Sequence, residues 1–492
     1  MGNTLFGKIL GAIATEVIKE MGKSPEQRFH EAEERDQKKA RKRERRAEQM
    51  AKMAEGFRRN AEFQQRENQR RRYEMELAAS GGGAFPFEKL RDRYITNAIA
   101  LVRPYPPHRG HSGRSHVGGL PDLPADLQWP RNSRGEALHF LAQVDLSELP
   151  PGSDRPVELP REGTLLFFAP MGGMLAFDDR NPVRLIYDSD SSGVRAQAPD
   201  DLAPVDRAWD RNFADEVEPT PSIFPEWPWL LAGIKSLPDT TAFGINSRGQ
   251  ECYREYDEQL QAFRAAEIER ATGLAAAKDD HWPDLGIYVE NRQHRGPYQL
   301  LPFERSGFPW TARGIVLVCR GILSRFAGSD LDVGPLSEWL SRAESQPDAQ
   351  SPSADEANAF ISILNGLMRS DRDRIKRTIE TAVHRLITET GANPELAAAL
   401  PDSLYRAAYP RHAPIVARSS GQRVQHAQLL GFVPSSQEPL QVDSPLLTLF
   451  QLQTDTGIDL IIGDMGEIDV RTERDALSAR RWDRIHACHA GG

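Results

Sequence analysis

Apolar positions at the start of the chain recur at three- and four-residue steps, whereas most later ones fall into short alternating runs. Leu5, Phe6, Ile9, Leu10, Ile13, Val17, Ile18 and Met21 form one stripe of an amphipathic helix over residues 1–22, ended by Gly22. Ser24-Pro25-Glu26-Gln27 opens a second helix, with Ser24 as cap, Pro25 in the first turn and Gln27 completing a capping box. Between Pro25 and Leu77 the sequence holds no proline and only Gly56, so a long charged helix is predicted over 23–78. Its apolar residues, Phe29, Met50, Met53, Phe57, Phe63 and Tyr73 among them, are too sparse for a sustained heptad seam. Ala79-Ser80-Gly81-Gly82-Gly83-Ala84 marks a flexible linker over 79–90.

Beyond the linker the pattern changes twice. Residues 91–225 are rich in proline and glycine with short apolar runs, and Leu165–Ala169 and Val183–Tyr187 read as strands. Residues 226–410 read as largely helical: Glu251–Ala277, Leu336–Ala343, a helix capped at Ser353-Ala354-Asp355-Glu356 through Met368, Asp371–Thr390, and a short one from Asn393-Pro394-Glu395. Ile315–Cys319 reads as a buried strand among them. Residues 411–492 return to strand patterning and end in a helix predicted over Asp475–Cys488.

The two strand-rich parts resemble each other at a distance of about 310 residues. The first runs from His116 through Gly119-Leu120-Pro121 to Phe140-Leu141-Ala142-Gln143-Val144-Asp145, then to a strand opened by Gly163. The second runs from His426 through Gly431-Phe432-Val433-Pro434 to Leu449-Phe450-Gln451-Leu452-Gln453-Thr454-Asp455, then to a strand opened by Gly466. The expected fold is therefore α+β and internally duplicated. Mostly antiparallel or mixed sheets flank a helical middle segment, and a long N-terminal helical arm precedes them.

Charge refines this picture. The chain carries −9 overall, but residues 1–80 hold 19 Lys/Arg against 14 Asp/Glu, a surplus of five, which leaves −14 for the rest. A net-acidic body argues against nucleic acid as a partner. Three widely spaced cysteines (Cys252, Cys319, Cys488) argue against a disulfide framework and for a reducing cytoplasm. No apolar run reaches the roughly 18 residues that span a bilayer. The start lacks the basic lead and small-residue cleavage site of a secretory signal, and Phe6 spoils a myristoylation site. The stripe over 5–21 still needs cover, since each large side chain left in water forgoes about 1.5–3 kcal/mol. Lys8 and Lys19 are balanced by Glu16 and Glu20, which favours a protein partner or self-association through residues 1–78 over a membrane surface. The basic run Lys38-Lys39-Ala40-Arg41-Lys42-Arg43-Glu44-Arg45-Arg46 is either a phosphate-binding patch or a solvated helix face laced with Glu–Arg pairs, and the acids on both sides of it favour the second.

Chemistry is harder to find. The chain has no phosphate loop, no Gly-x-Gly-x-x-Gly, no His-Glu-x-x-His and no Gly-x-Ser-x-Gly, so no catalytic residue and no cofactor is assigned. The histidine groups His108/His111/His116 and His486/Cys488/His489 lack a second half at zinc spacing, so no metal is assigned. Gln143 and Gln451 occupy equivalent places in the two repeats. They are candidates to tie down a neighbouring strand end or to bind a ligand at the pseudo-twofold axis. Asp455 and Asp464 are candidates for a paired-carboxylate site in the second repeat, or for ordinary turn chemistry. Phe224-Pro225-Glu226-Trp227-Pro228-Trp229 is either an exposed recognition surface or a lid between the strand-rich half and the helical segment.

The ordered set Ser115-His116-Val117-Gly118-Gly119-Leu120-Pro121-Asp122-Leu123-Pro124, Trp129-Pro130, Gly135 and Phe140 to Asp145 resembles the YwqG-like family of uncharacterised bacterial proteins. His426, Leu430-Gly431, Gln437, Leu449 to Leu452 and Asp455 are similar to its later pattern, and Gly463-Asp464-Met465-Gly466 keeps a Gly-Asp-x-Gly while Ile462 replaces the family's Trp. The resemblance covers roughly 95–190 and 415–488. It implies an internally duplicated α+β fold, no established activity, and an immunity-type binding role. The combined expectation is a non-enzymatic binding protein. The alternatives are a hydrolase using acids of the second repeat and a membrane-peripheral scaffold anchored by residues 4–21.

Overall fold

The computed structural model describes residues 87–492 except 109–112, 153–154, 157, 172–182, 206–221, 244–250, 278–284, 290–298, 419–420, 425–426, 434–439, 464–465 and 491–492. The described residues fall within one compact unit, Leu77–Gly492. The predicted N-terminal arm, His111, Asp464, His426 and Gln437 lie outside them.

The fold is α+β, and every strand pair described is antiparallel. In chain order the main strands are β1 (Thr96–Val102), β2 (His116–Val117), β3 (His139–Asp145), β4 (Thr164–Ala169), β5 (Arg184–Asp188), β6 (Trp227–Pro228), β7 (Leu230–Ser236), β8 (Ala427–Leu429), β9 (Leu446–Gln453), β10 (Glu467–Glu473) and β11 (Ile485–Ala490). They form a first sheet in the order β5-β4-β3-β2-β6 and a second in the order β11-β10-β9-β8-β1-β7.

The repeat is visible in the backbone. β3 has a bulge at Leu141, two residues before Gln143, and β9 has one at Leu449, two residues before Gln451. The turn that follows β2 places Gly118 and Gly119 at φ 62° and 67°, and the turn that follows β8 places Leu430 and Gly431 at 58° and 70°. A Cβ on Gly118 would run into the carbonyl of Pro225, so only glycine fits there. Register makes Gln143 equivalent to Gln451 and Gly163 to Gly466. It also corrects two alignments. Asp145 stands opposite Thr164 as Gln453 stands opposite Glu467, so Asp145 matches Gln453, not Asp455. His116 pairs with Gln143 as Gln428 pairs with Gln451, so Gln428, not His426, matches His116.

The fifth strand of each sheet is exchanged. β1 precedes the first copy but pairs with β8 of the second, and β6 lies beyond the first copy's four strands yet pairs back onto β2. Trp229 then donates from its N–H to Ser115 O (2.9 Å), and β7 leaves the first sheet to pair along the whole of β1. One extended segment, Trp227–Ser236, thus serves as an edge of both sheets. The inner faces share one core, where the rings of Phe167 (β4) and Phe450 (β9) stack at 4.0 Å. Such a pair adds about 0.5–1.5 kcal/mol to the burial itself.

The main helices are α1 (Phe87–Tyr94), α2 (Glu251–Thr272), α3 (Ala312–Arg325), α4 (Gly334–Glu344), α5 (Ala354–Ser370), α6 (Arg372–Glu389), α7 (Pro394–Ala399) and α8 (Asp402–His412). α5 carries the capping box anticipated at Ser353 and Glu356. Three readings change. α1 begins inside the stretch read as linker. Ile315–Cys319 belongs to α3, capped by Thr311; it is buried throughout, and a short apolar run of this kind does not distinguish strand from buried helix. The C-terminal helix shortens to Arg474–Ser478, after which Ile485–Ala490 pairs with β10 as a strand.

Candidate functional site

Gln143 is fully buried (0% exposed) and points away from the shared core, because its neighbours Ala142 and Val144 pack inward. Its Oε1 accepts from Asp122 N (2.9 Å), and its Nε2 donates to Arg114 O (2.8 Å) and Asp122 Oδ2 (3.0 Å). All of the amide's principal capacity goes to fastening the 114–122 loop over β3. Gln451 is 1% exposed and occupies the same backbone position on the outer face of the second sheet. Its Oε1 accepts from Gln453 Nε2 (3.1 Å), and it stands between Gln428 and Asp469 on the adjoining strands. The two amides do not meet: Phe167 and Phe450 fill the space between the sheets.

Asp455 lies two residues past the end of β9, in a turn where its Oδ1 accepts from Gly457 N (2.9 Å). Its carboxylate grips Arg103 side-on, Nε to Oδ2 and Nη2 to Oδ1, the latter at 3.0 Å. A Cβ on residue 457 would stand 2.6 Å from Arg103 Nη2, so Gly457 is what lets the guanidinium approach. His108 donates to Thr390 O (3.1 Å), just past the end of α6, and His116 to Gly118 O (2.9 Å) within its own turn. Among the described residues no group of three or more His, Cys, Asp or Glu is placed to hold a metal ion.

The Arg103–Asp455 pair is one end of a larger polar seam. β1 stops at Val102 because Arg103-Pro104-Tyr105-Pro106-Pro107 cannot continue a ladder without N–H donors. The chain turns there and presents Arg103 and Tyr105 to Trp227 on β6, His384 on α6, His412 at the end of α8, and Asp455 and Asp459 in the β9–β10 turn. The Arg103 guanidinium lies 5.6 Å from the Trp227 ring centre, and Trp227 Nε1 donates to Pro104 O (3.0 Å). The Tyr105 and His412 rings are near-parallel at 4.9 Å and 11°, and Trp227 lies at 6.1 Å and 16° from His412. His384 stacks on His412 at 5.5 Å, and its Nε2 meets Asp459 Oδ1 at 2.9 Å. Asp459 adopts φ 55°, an uncommon conformation for a residue with a side chain. Trp227 and Trp229 are buried, so the aromatic-proline run packs as the lid between the strand-rich half and the helices.

Burial governs the electrostatics. It pushes His412 well below the ordinary histidine value, and His384, Arg103 and Arg411 push the same way. It lowers His384 as well, against the pull of Asp459. It raises the Tyr105 phenol, helped by Tyr405 and opposed by Arg103. Both imidazoles and the phenol are neutral at pH 7.

Arg103 Nη1, Tyr105 Oη and both ring nitrogens of His412 are buried without a hydrogen-bond partner. Arg103 is 5% exposed and His412 1%. An unsatisfied buried polar group costs about 1–3 kcal/mol, and native folds satisfy nearly all of them with protein, water or ligand. Four such atoms fall on these three adjacent side chains. Sequence reading found Asp455 and Trp227 but not Arg103, Tyr105, His384, His412 or Asp459. The signals were an Arg-Pro-Tyr-Pro-Pro run closing an apolar strand, and His384 next to Val383 at the margin of the stripe of Ile375, Ile379, Val383 and Ile387 that faces the core.

Residues 115–284, about a third of the chain, match a family model described as a domain of unknown function (DUF1963). The match takes in β2 to β7 and α2, and of the seam residues only Trp227. No curated protein matches the chain.

Proposed function

We propose that this chain is a non-enzymatic cytoplasmic binding protein. Its body takes a small polar ligand at the Arg103–Tyr105–His412 seam, and residues 1–78 dock on a protein partner or on a second copy. The unpartnered buried atoms of the seam support the first part. The resemblance to YwqG-like proteins adds an immunity-type role as the setting for such binding. Native mass spectrometry of the chain prepared from its own cell tests this reading. The unmodified protein is expected to carry a small molecule that Tyr105→Phe/His412→Phe, which leaves an aromatic ring at both positions and removes three polar atoms, does not. A protein mass free of adducts in both would end the reading. For the arm, light scattering is expected to report fewer copies per particle once residues 1–82 are removed, and an unchanged copy number with no lost partner counts against it.

One observation favours a second reading. His384 and Asp459 form an imidazole–carboxylate pair of the kind that serves as a general base, which keeps a hydrolase built on acids of the second repeat in view. Asp455 is less suited to that role because Arg103 already neutralises it. A membrane-peripheral scaffold would rest on residues 4–21; among the described residues no helix is long and apolar enough to cross a membrane. Liposome sedimentation of the full chain against the same truncation separates that reading from the first.

A further inference from the structure

The seam's geometry also says which chemical group suits it. Asp455 holds Arg103 through Nε and Nη2, which fixes the plane of the guanidinium and leaves Nη1 at its free end. Nη1 can only donate; Tyr105 Oη and the protonated nitrogen of His412 donate as well. Three donors on adjoining side chains call for an acceptor oxygen. We propose that the seam binds a small oxyanion, carboxylate or phosphoryl, together with a proton that settles on His412. This deepens the binding reading above and rests on it.

The proton follows from counting charges. Arg103 is balanced by Asp455, and Arg411 faces Asp459. An oxyanion entering this balanced, buried setting would leave a negative charge uncompensated, which is unfavourable in a low-dielectric interior. His412 is the group able to supply the compensation, because neither of its nitrogens is committed. It faces Arg103 and Tyr105 from the exit of β1, His384 from α6 and Arg411 on its own helix, while Tyr405 and Tyr409 pack on Tyr105, Asp455 holds Arg103 and Asp459 holds His384. With nothing bound, burial keeps the ring neutral, and His384, Arg103 and Arg411 act in the same direction. A bound anion beside it reverses that preference, and by linkage the proton then strengthens anion binding. Tyr105 and Asp459 are only partly buried and give the seam a rim through which a small solute can enter.

Titration calorimetry of the full chain with acetate, inorganic phosphate and acetamide, at pH 6.0 and 7.5 in two buffers of different ionisation heat, tests the proposal. Acetate or phosphate is expected to bind with uptake of close to one proton. Affinity should then rise by about tenfold for each pH unit of fall while His412 is neutral in the free protein. Which of the two anions binds tells carboxylate from phosphoryl. Acetamide, the uncharged isostere of acetate, is expected to bind at least about tenfold more weakly at pH 6.0. His412→Phe should abolish proton uptake, and Tyr105→Phe should weaken binding by about fivefold while keeping it. Should His412→Phe not fold, the proton count in the unmodified chain and the Tyr105→Phe result decide. Acetamide matching acetate without pH dependence would overturn the oxyanion and leave the binding reading standing. So would a retained native adduct alongside failure of both anions. No adduct and no binding by any probe would remove both.

Discussion

The outer faces of the two sheets share a backbone and differ in chemistry. In the first copy Leu138, Phe140, Leu166 and Phe168 form an apolar cluster beneath Trp129, with the Phe140 and Phe168 rings 5.4 Å apart. By register the second copy puts Leu446, Thr448, Asp469 and Arg471 at those positions, and Arg471 Nη2 donates to Asp469 Oδ2 at 2.9 Å. Thr448 and Asp469 are as buried as the residues they replace. Taking a carboxylate and a guanidinium out of water is unfavourable by several kcal/mol per ion before their attraction is counted. Stability alone therefore does not explain the second face. What the copies preserve is main-chain geometry: the bulge, the left-handed pair after β2 and β8, and the Gln. What they are free to change is the side-chain layer.

Exchanging residues between copies sharpens this contrast. The largest effect is expected from Leu166→Asp, which writes the second copy's residue into the first. It places a carboxylate among Leu138, Phe140 and Phe168 with no cation, and should reduce stability by about 4–5 kcal/mol in urea melts. A loss under about 1 kcal/mol would mean that the first face is wetter than its packing indicates. Next comes Gly118→Leu, which copies Leu430 into the first turn. Although Leu430 sustains φ 58°, the carbonyl of Pro225 blocks a side chain at 118, so about 3 kcal/mol should be lost. Equal stability would show that the two turns are interchangeable. The reverse transplant, Asp469→Leu with Arg471→Phe, should leave stability unchanged or raise it by about 1–4 kcal/mol, since replacing a buried ion pair with apolar groups is often favourable. A marked loss would place the charged pair in a structural network that the apolar face does not need.

The repeat was legible because its marks answer to backbone requirements. Gly119 and Gly431 need positive φ, Gly163 and Gly466 open strands, and Gln143 and Gln451 follow the same bulge. Residue type alone misled where the strand end shifted the count: pairing Asp145 with Asp455 and His116 with His426 matched like with like, and hydrogen-bond register moved each by two. The exchange of β1 and β6 left no trace in the sequence, because a strand's pattern reports which of its faces is buried and not which strand lies beside it. The seam was hidden for a related reason. Arg103, Trp227, His384, His412 and Asp455 come from five segments, and each alone looks like an ordinary strand end, aromatic, helix residue or turn acid. Their meaning lies in the polar atoms left over once the segments meet.

The gentlest exchange concerns His116, whose counterpart is Gln428. His116 Nδ1 donates to Gly118 O (2.9 Å), and Gln428 Nε2 donates to the equivalent Leu430 O (2.7 Å). His116→Gln should therefore change stability at pH 7.5 by less than about 0.5 kcal/mol, since one donor replaces another at the same carbonyl. Acid separates the two side chains. Burial lowers the His116 value below its ordinary 6.5, so the folded imidazole stays neutral while the unfolded one takes up a proton as pH drops. Above 6.5 both forms are neutral and nothing is lost. As pH falls from 6.5 towards the depressed folded value, the unfolded state binds more protons and stability declines by up to about 1.4 kcal/mol per pH unit from this residue. Glutamine has no proton to gain, so His116→Gln should equal the unmodified chain at pH 7.5 and exceed it by about 1 kcal/mol near pH 5.5. His139, His384 and His412 are also lowered by burial and should maintain the remaining acid sensitivity in both proteins. Urea melts of the pair at the two pH values, crossing where they should run together or staying parallel where they should part, would show that the donor at this position in the first copy does something its counterpart in the second does not.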